Sequence, residues 1–131
     1  MKKMSTIAVN AFFDAVKANN VSKVAELLGN GSVSVNAKDT ANKNMSALHY
    51  AVELNNKELF TTLMTFKPNI NMQDDEGYVP LILAVDSGSF DMARILIVCM
   101  GNMGNNYVTD IKESNPQLFN EAGEFIASDS K

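Results

Sequence analysis

The chain repeats itself. Leu81 and Ala84, in Val79-Pro80-Leu81-Ile82-Leu83-Ala84, stand 33 residues after Leu48 and Ala51, in Ser46-Ala47-Leu48-His49-Tyr50-Ala51. The same offset carries Asn55 onto Gly88, Glu58 onto Asp91 and Leu63 onto Leu96. A fixed period of this size marks stacked helix pairs, each of which needs its neighbours to bury its apolar face. An offset of 36 lays an earlier copy on the first of these, with Ala15 on Ala51, Val24 on Phe60, Leu27 on Leu63 and Leu28 on Met64. The added residues fall around Ser32 to Ser34 and between Asp39 and Ser46. Both places are connections, where extra chain costs little.

Local signals agree with the period. The first pair is predicted over Ile7 to Ala18 and Val21 to Leu28. Asn19, Asn55 and Gly88 are equivalent, and Asn and Gly tolerate the left-handed conformation that ends a helix. Asn20, Asn56 and Ser89 follow as N-caps, with Glu58 and Asp91 adding negative charge to first turns. The second helices are expected to bury Val24, Leu27 and Leu28; Leu59, Phe60, Leu63 and Met64; and Ala93, Ile95, Leu96 and Ile97. Val35 to Asp39 and Ile70 to Asp74 lead into turn-rich spans that read as hairpin-like fingers, with Gly77 in the second. Met103 to Asp110, containing Gly104, Asn105 and Asn106, reads as a loose loop after Gly101. From a Ser114 or Asn115 cap, Pro116 to Ala127 reads as a helix with Leu118, Phe119, Ala122, Phe125 and Ile126 on one face, able to cap the stack.

Composition excludes several classes. With 131 residues, 46% of them hydrophobic, the chain suffices for one core. A net charge of −4 argues against nucleic acid, which needs clustered Lys and Arg. One cysteine, Cys99, and one histidine, His49, give neither an internal disulfide nor the usual Cys/His zinc set, and no metal or cofactor is expected. Lys2 and Lys3 before Ser5 to Phe13 superficially resemble a signal peptide, but Asn10 and Asp14 interrupt the apolar run. Ala11, Phe12, Ala15 and Val16 fit a helix face instead, so the expected location is cytoplasmic. No apolar run approaches the roughly 18 residues that would span a membrane.

At these residues the chain resembles the ankyrin-repeat family, whose repeat carries a Thr-Pro-Leu-His-x-Ala signature. Leu48, His49 and Ala51 match it with Ser46 for Thr, and Pro80, Leu81 and Ala84 match it in the next copy. Val35-Asn36-Ala37 and Ile70-Asn71 echo the motif that ends each family repeat. The resemblance covers about residues 10–104 and implies an all-α, ankyrin-type helix-turn-helix solenoid with short hairpin-like fingers. A single domain over 1–131 is expected, divided into a degenerate repeat (5–38), two repeats (39–72 and 73–106) and a C-terminal cap (107–131). The family's glycine after the second helix is Gly31 here, but Lys67 and Met100 stand at the equivalent places, and Ile82 replaces the motif's histidine.

The resemblance implies that His49 is buried and braces a turn, rather than acting as a catalyst. Cys99 ends the apolar run Ile95 to Val98 and reads as a buried small hydrophobe. Asp74-Asp75-Glu76 lacks calcium-loop spacing and reads as a solvated turn at a finger tip. Ankyrin stacks bind proteins with finger tips and the exposed side of the first helices. Carried over by position, that face includes Thr40, Asn42, Lys43, Asn44 and Met45 in the first finger, with Glu53 and Leu54 on its helix. In the next it includes Asp75, Glu76 and Tyr78, with Asp86 and Ser87; Lys17 and Ala18 contribute from the first repeat. The implied function is a small stand-alone adaptor or inhibitor, not an enzyme, binding another protein that presents a basic patch. The alternatives are an immunity or antitoxin-like protein, and a small-ligand binder or enzyme using His49 or the acidic finger. A monomer is expected, with self-association through Met100 and Met103 as the other outcome.

Overall fold

The computed structural model describes residues 2–100 and 106–128. Helices α1 (Lys2–Lys17) and α2 (Val21–Gly29) form the first pair. A two-stranded finger, β1 (Lys38–Asp39) and β2 (Met45–Ser46), leads to α3 (Ala47–Glu53) and α4 (Lys57–Met64). Helices α5 (Pro80–Ser87) and α6 (Phe90–Met100) make the third pair, and α7 (Asn106–Ser114) precedes a single 3-10 turn at Pro116–Leu118. The α-helical solenoid implied by the sequence is the observed architecture. In the finger, Lys38 pairs with Ser46 and Asp39 with Met45, antiparallel.

The three stops and the Asn20 and Asn56 caps act as the sequence indicates, while the Ser89 hydroxyl donates to the Val52 carbonyl at 2.6 Å. Asn19, Asn55 and Gly88 all take left-handed backbone, at φ 61°, 53° and 78°. Asn20 Oδ1 accepts the Lys23 N–H, and Asn56 Oδ1 accepts that of Leu59. Each turn thus reverses the chain within a few residues, and the paired helices pack back to back. The first helices stack in a row, with α3 against both α1 and α5, and α5 against α7. Phe12, Val16, Val24, Leu59, Phe60, Leu63, Leu81 and Leu96 are fully buried between them.

Polar rungs join neighbouring copies along the stack. The Asn69 N–H donates to Asn36 Oδ1 at 2.7 Å, and Asn56 Nδ2 donates to Asn19 Oδ1. Lys57 Nζ lies 2.9 Å from Asp91 Oδ2, and Gln73 Nε2 donates to the Tyr107 hydroxyl at 3.0 Å.

Four expectations are corrected. On α6 the buried stripe is Met92, Ala93 and Leu96; Ile95 lies on its flank and is exposed. Cys99 is exposed, because α6, with 11 residues, outruns the 8-residue α5 against which it packs. Asn106 to Asp110 belong to α7 instead of a loop, since Tyr107, Val108 and Ile111 share an apolar face that packs on the core. The side chains of Met100 and Met103 lie outside the described residues. Beyond the 3-10 turn there is no helix: Phe119 and Phe125 form an antiparallel bridge. Asn120 Oδ1 captures the Glu124 N–H at 2.9 Å and Gly123 turns left-handed at φ 85°, which closes a small loop. That loop still covers α6. The Phe125 ring sits 6.3 Å from Phe90 with the Arg94 guanidinium over it, while Ile126 points to solvent.

Candidate protein-binding face

The finger tips are fixed from inside. Ser46 and His49 form a reciprocal cap at the start of α3: Ser46 Oγ accepts the His49 N–H, and His49 Nδ1 accepts the Ser46 N–H at 3.1 Å. The opposite ring nitrogen, Nε2, donates to the Tyr78 carbonyl at 2.8 Å, in the next finger. This pattern fixes the neutral tautomer with hydrogen on Nε2, and burial holds the imidazole pKa below its usual value despite the Tyr78 contact. At 0% exposure with both nitrogens engaged, His49 presents nothing to a substrate.

Asp74, expected in a solvated turn, is buried instead. Its Oδ1 accepts the Glu76 and Tyr78 N–H groups, both at 2.9 Å, so it is the inner brace of the second finger. Gly77 at φ 83° completes that turn. Among the described residues no group of three or more His, Cys, Asp or Glu could hold a metal ion, and no helix is long and apolar enough to cross a membrane.

The two fingers are joined at their tips. Lys43 and Asn44 take consecutive left-handed conformations, φ 59° and 54°, and the Lys43 carbonyl accepts the Asp75 N–H at 2.8 Å. Asn44 Nδ2 donates to Asp75 Oδ1 at 2.7 Å, and Lys43 Nζ lies 3.6 Å from Glu76 Oε1. Four of the expected contact residues therefore form one cross-finger plate. Tyr78, 37% exposed, lies on the same finger.

Met45 does not belong to this surface. At 4% exposure it is in the core, because its place on β2 turns its side chain inward against the helices. Glu53 and Leu54 lie at the far end of α3 and Asp86 and Ser87 at that of α5, about 10 Å by helix rise from the helix ends that join the fingers. Leu54 is 51% exposed beside a shallow groove lined by Lys17, Asn19 and Lys57. The Ser87 hydroxyl is committed to the Leu83 and Val52 carbonyls.

The sequence reading did not find the network behind the first finger. Tyr50 Oη donates to Asp39 Oδ2 at 2.6 Å and accepts from Asn42 Nδ2 at 2.8 Å, while Lys17 Nζ lies 3.0 Å from the same carboxylate oxygen. Burial pushes the Asp39 carboxyl upward, but the bonds from Tyr50 and Lys17 outweigh it and hold the pKa below the ordinary value. Burial, reinforced by Asp39, pushes the Tyr50 phenol up, and hydrogen bonding to Asp39 raises Lys17. The network ties α1, β1 and α3 together and places Asn42 in a structural role. Its signal was available in the pairing of a period-ending Asp with a Tyr inside the motif.

Residues 12–108 match the family model for ankyrin repeats, in three copies. Over 87 residues the chain is 31% identical to "Protein phosphatase 1 regulatory subunit 27" of Mus musculus, an alignment covering 66% of this chain and 54% of the relative. The chain thus spans about half the length of the curated relative that it matches. With the helix pairs, the finger and the repeated turns in register with this match, the chain belongs to the ankyrin-repeat family.

Proposed function

We propose that the chain is a non-catalytic protein-interaction module, a small adaptor or inhibitor that covers a partner through its finger tips and first helices. The cross-finger plate of Lys43, Asn44, Asp75 and Glu76 carries this reading. Left-handed backbone at Lys43 and Asn44 costs free energy, and the bonds to Asp75 turn it into a fixed surface beside an exposed tyrosine. A prearranged aromatic among paired charges suits an interface of order 800 Å² per partner. The relative's name, a regulatory subunit of a phosphatase, supports a regulatory form of the same role, in which the bound partner is an enzyme.

The net charge of −4 favours a partner with a basic patch, whose association weakens as salt rises. The exposed thiol of Cys99 suits a reducing, cytoplasmic setting. The test is to identify a partner by pulldown at low and moderate salt, then to measure its affinity for the wild type and for a Leu54→Ala, Tyr78→Ala variant by calorimetry. Both side chains are exposed, and Tyr78 holds the fold through its backbone, so the variant keeps its helical circular dichroism. A loss of about tenfold or more is expected. Unchanged affinity would place binding elsewhere on the chain.

A further inference from the structure

A cleft of about 140 Å³ opens between α5 and α7. Its apolar lining comes from Ile82 and Val85 on one helix and Ile111 on the other, and Asp86, Asp110 and Ser114 also line it. Drug-sized ligands and cofactors occupy sites of roughly 300–1,000 Å³. This cleft has the scale of one long side chain. Elsewhere in the fold Asp39, Asp75, Glu76 and Asp91 find partners. Among the described residues Asp86 and Asp110 find none, although both are exposed. Asp86 also repeats Glu53 at the 33-residue period, so acidic groups recur at the ends of successive first helices as the stack approaches the cleft.

We infer that this cleft seats an arginine side chain of the protein partner. This rests on the protein-binding function proposed above and specifies one anchor of it. The aliphatic stem lies on Ile82, Val85 and Ile111, as long cationic side chains cover apolar surface elsewhere. The guanidinium meets carboxylates supplied by two different helices, and its planar fork can donate to both at once. The lysine ammonium is a compact, strongly hydrated point charge and meets two separated acceptors less well. An apolar lining with carboxylates attached is complementary to that combination of stem and head group.

The inference is tested by following the methyl resonances of Ile82, Val85 and Ile111 during titration with Nα-acetyl-arginine methylamide, alongside its lysine and neutral citrulline counterparts. Saturable shifts at these methyls, with a Kd on the order of millimolar, are expected for arginine. The lysine probe should bind several-fold more weakly, and the citrulline probe should move nothing. The D86N/D110N variant should bind arginine about tenfold or more weakly and melt with the wild type, because neither carboxylate is paired in the fold. Absent arginine shifts, equal shifts with citrulline, equal binding of lysine, or undiminished binding by the double variant would each overturn the assignment. The citrulline comparison uses the wild-type protein and does not depend on how the variants fold. Partner capture lost in Leu54→Ala, Tyr78→Ala while arginine moves nothing would refute the cleft alone. Arginine seated in the cleft while partner affinity survives both that variant and D86N/D110N would refute the binding face, and with it the arginine's role in the partner.

Discussion

His49 Nε2 donates to the carbonyl of Tyr78, 29 residues further along, at 2.8 Å. A motif residue of one repeat thereby holds the finger of the next, and the exposed Tyr78 ring stands on a backbone fixed from beneath. Replacing His49 by Ala leaves the part-buried Tyr78 carbonyl without its ring donor and the buried Ser46 N–H without its acceptor. A loss of about 2 kcal/mol in unfolding free energy is expected from denaturant midpoints. Partner affinity in the protein that remains folded should fall less than in Tyr78→Ala, which calorimetry can compare directly.

Stability should depend on pH in two steps. Burial lowers the His49 pKa from its usual 6.5, so as pH falls below that value the unfolded chain takes up a proton before the folded one does. Stability therefore declines with acidification until the folded imidazole itself protonates. Asp39, lowered from 3.8, contributes stability that is present above that pH and is lost as pH falls through its folded value. Urea midpoints from pH 7.5 to 3 should show both declines, and His49→Gln should remove the first.

Tyr50→Phe removes the hydroxyl that serves Asp39 and Asn42 together. A cost of about 1–2 kcal/mol is expected, since the buried carboxylate loses a donor while its Lys17 partner remains. Lys17→Met should cost less, because half-exposed ion pairs are worth under about 1 kcal/mol. Thermal melts of the two single variants and the double variant measure their coupling.

Lys67 occupies the left-handed position that the family gives to glycine, at φ 56°. Lys67→Gly should stabilise the chain by about 0.5–1 kcal/mol, the left-handed strain of a side chain less the glycine's entropy loss. Gly88→Ala, at φ 78° with open space around it, should cost about 1 kcal/mol through backbone strain alone. Opposite shifts in the two melts are the expected result.

Cys99 should react with a thiol-specific disulfide reagent in the native protein at about the rate of an unfolded cysteine control, because its side chain is exposed. Protection that is lifted only by denaturant would show the sulfur to be covered.

What the sequence made legible was whatever repeats. The left-handed trio Asn19, Asn55 and Gly88 and the buried faces of α2 and α4 follow from comparing one copy with another, whereas the bracing role of His49 follows from the family resemblance, since Ile82 stands at its place in the next copy. The period averages out local accidents, and each of the repeated positions does the same physical work in every copy. Asp74 and Met45 are corrected within the repeats, and the remaining failures lie where repetition weakens. Past α6 no second copy constrains the pattern, so Phe119, Ala122 and Phe125, spaced for a helix, instead close a loop once Asn120 captures backbone and Gly123 turns left-handed. For Cys99, the apolar run says nothing of where the neighbouring helix stops.

The candidate face was legible in outline and not in its chemistry. Position alone grouped Lys43, Asn44, Asp75 and Glu76, but their pairing across the fingers depends on left-handed backbone at two non-glycine residues, which composition does not announce. Met45 neighbours them in sequence, but it lies on β2, where both residues are buried. The role of Asp110 required α7, a helix that the glycine- and asparagine-rich stretch before it concealed.

The polar rungs carry a kinetic consequence. Asn36 to Asn69, Asn19 to Asn56, Lys57 to Asp91, Gln73 to Tyr107 and Arg94 to Ala127 span 33 to 37 residues each. These links between neighbouring copies each span about one period along the chain. Low contact order of this kind goes with fast folding, and alternative starting points let assembly proceed from either side of a damaged repeat. A lesion that would halt a sheet protein altogether can here leave neighbouring repeats able to form.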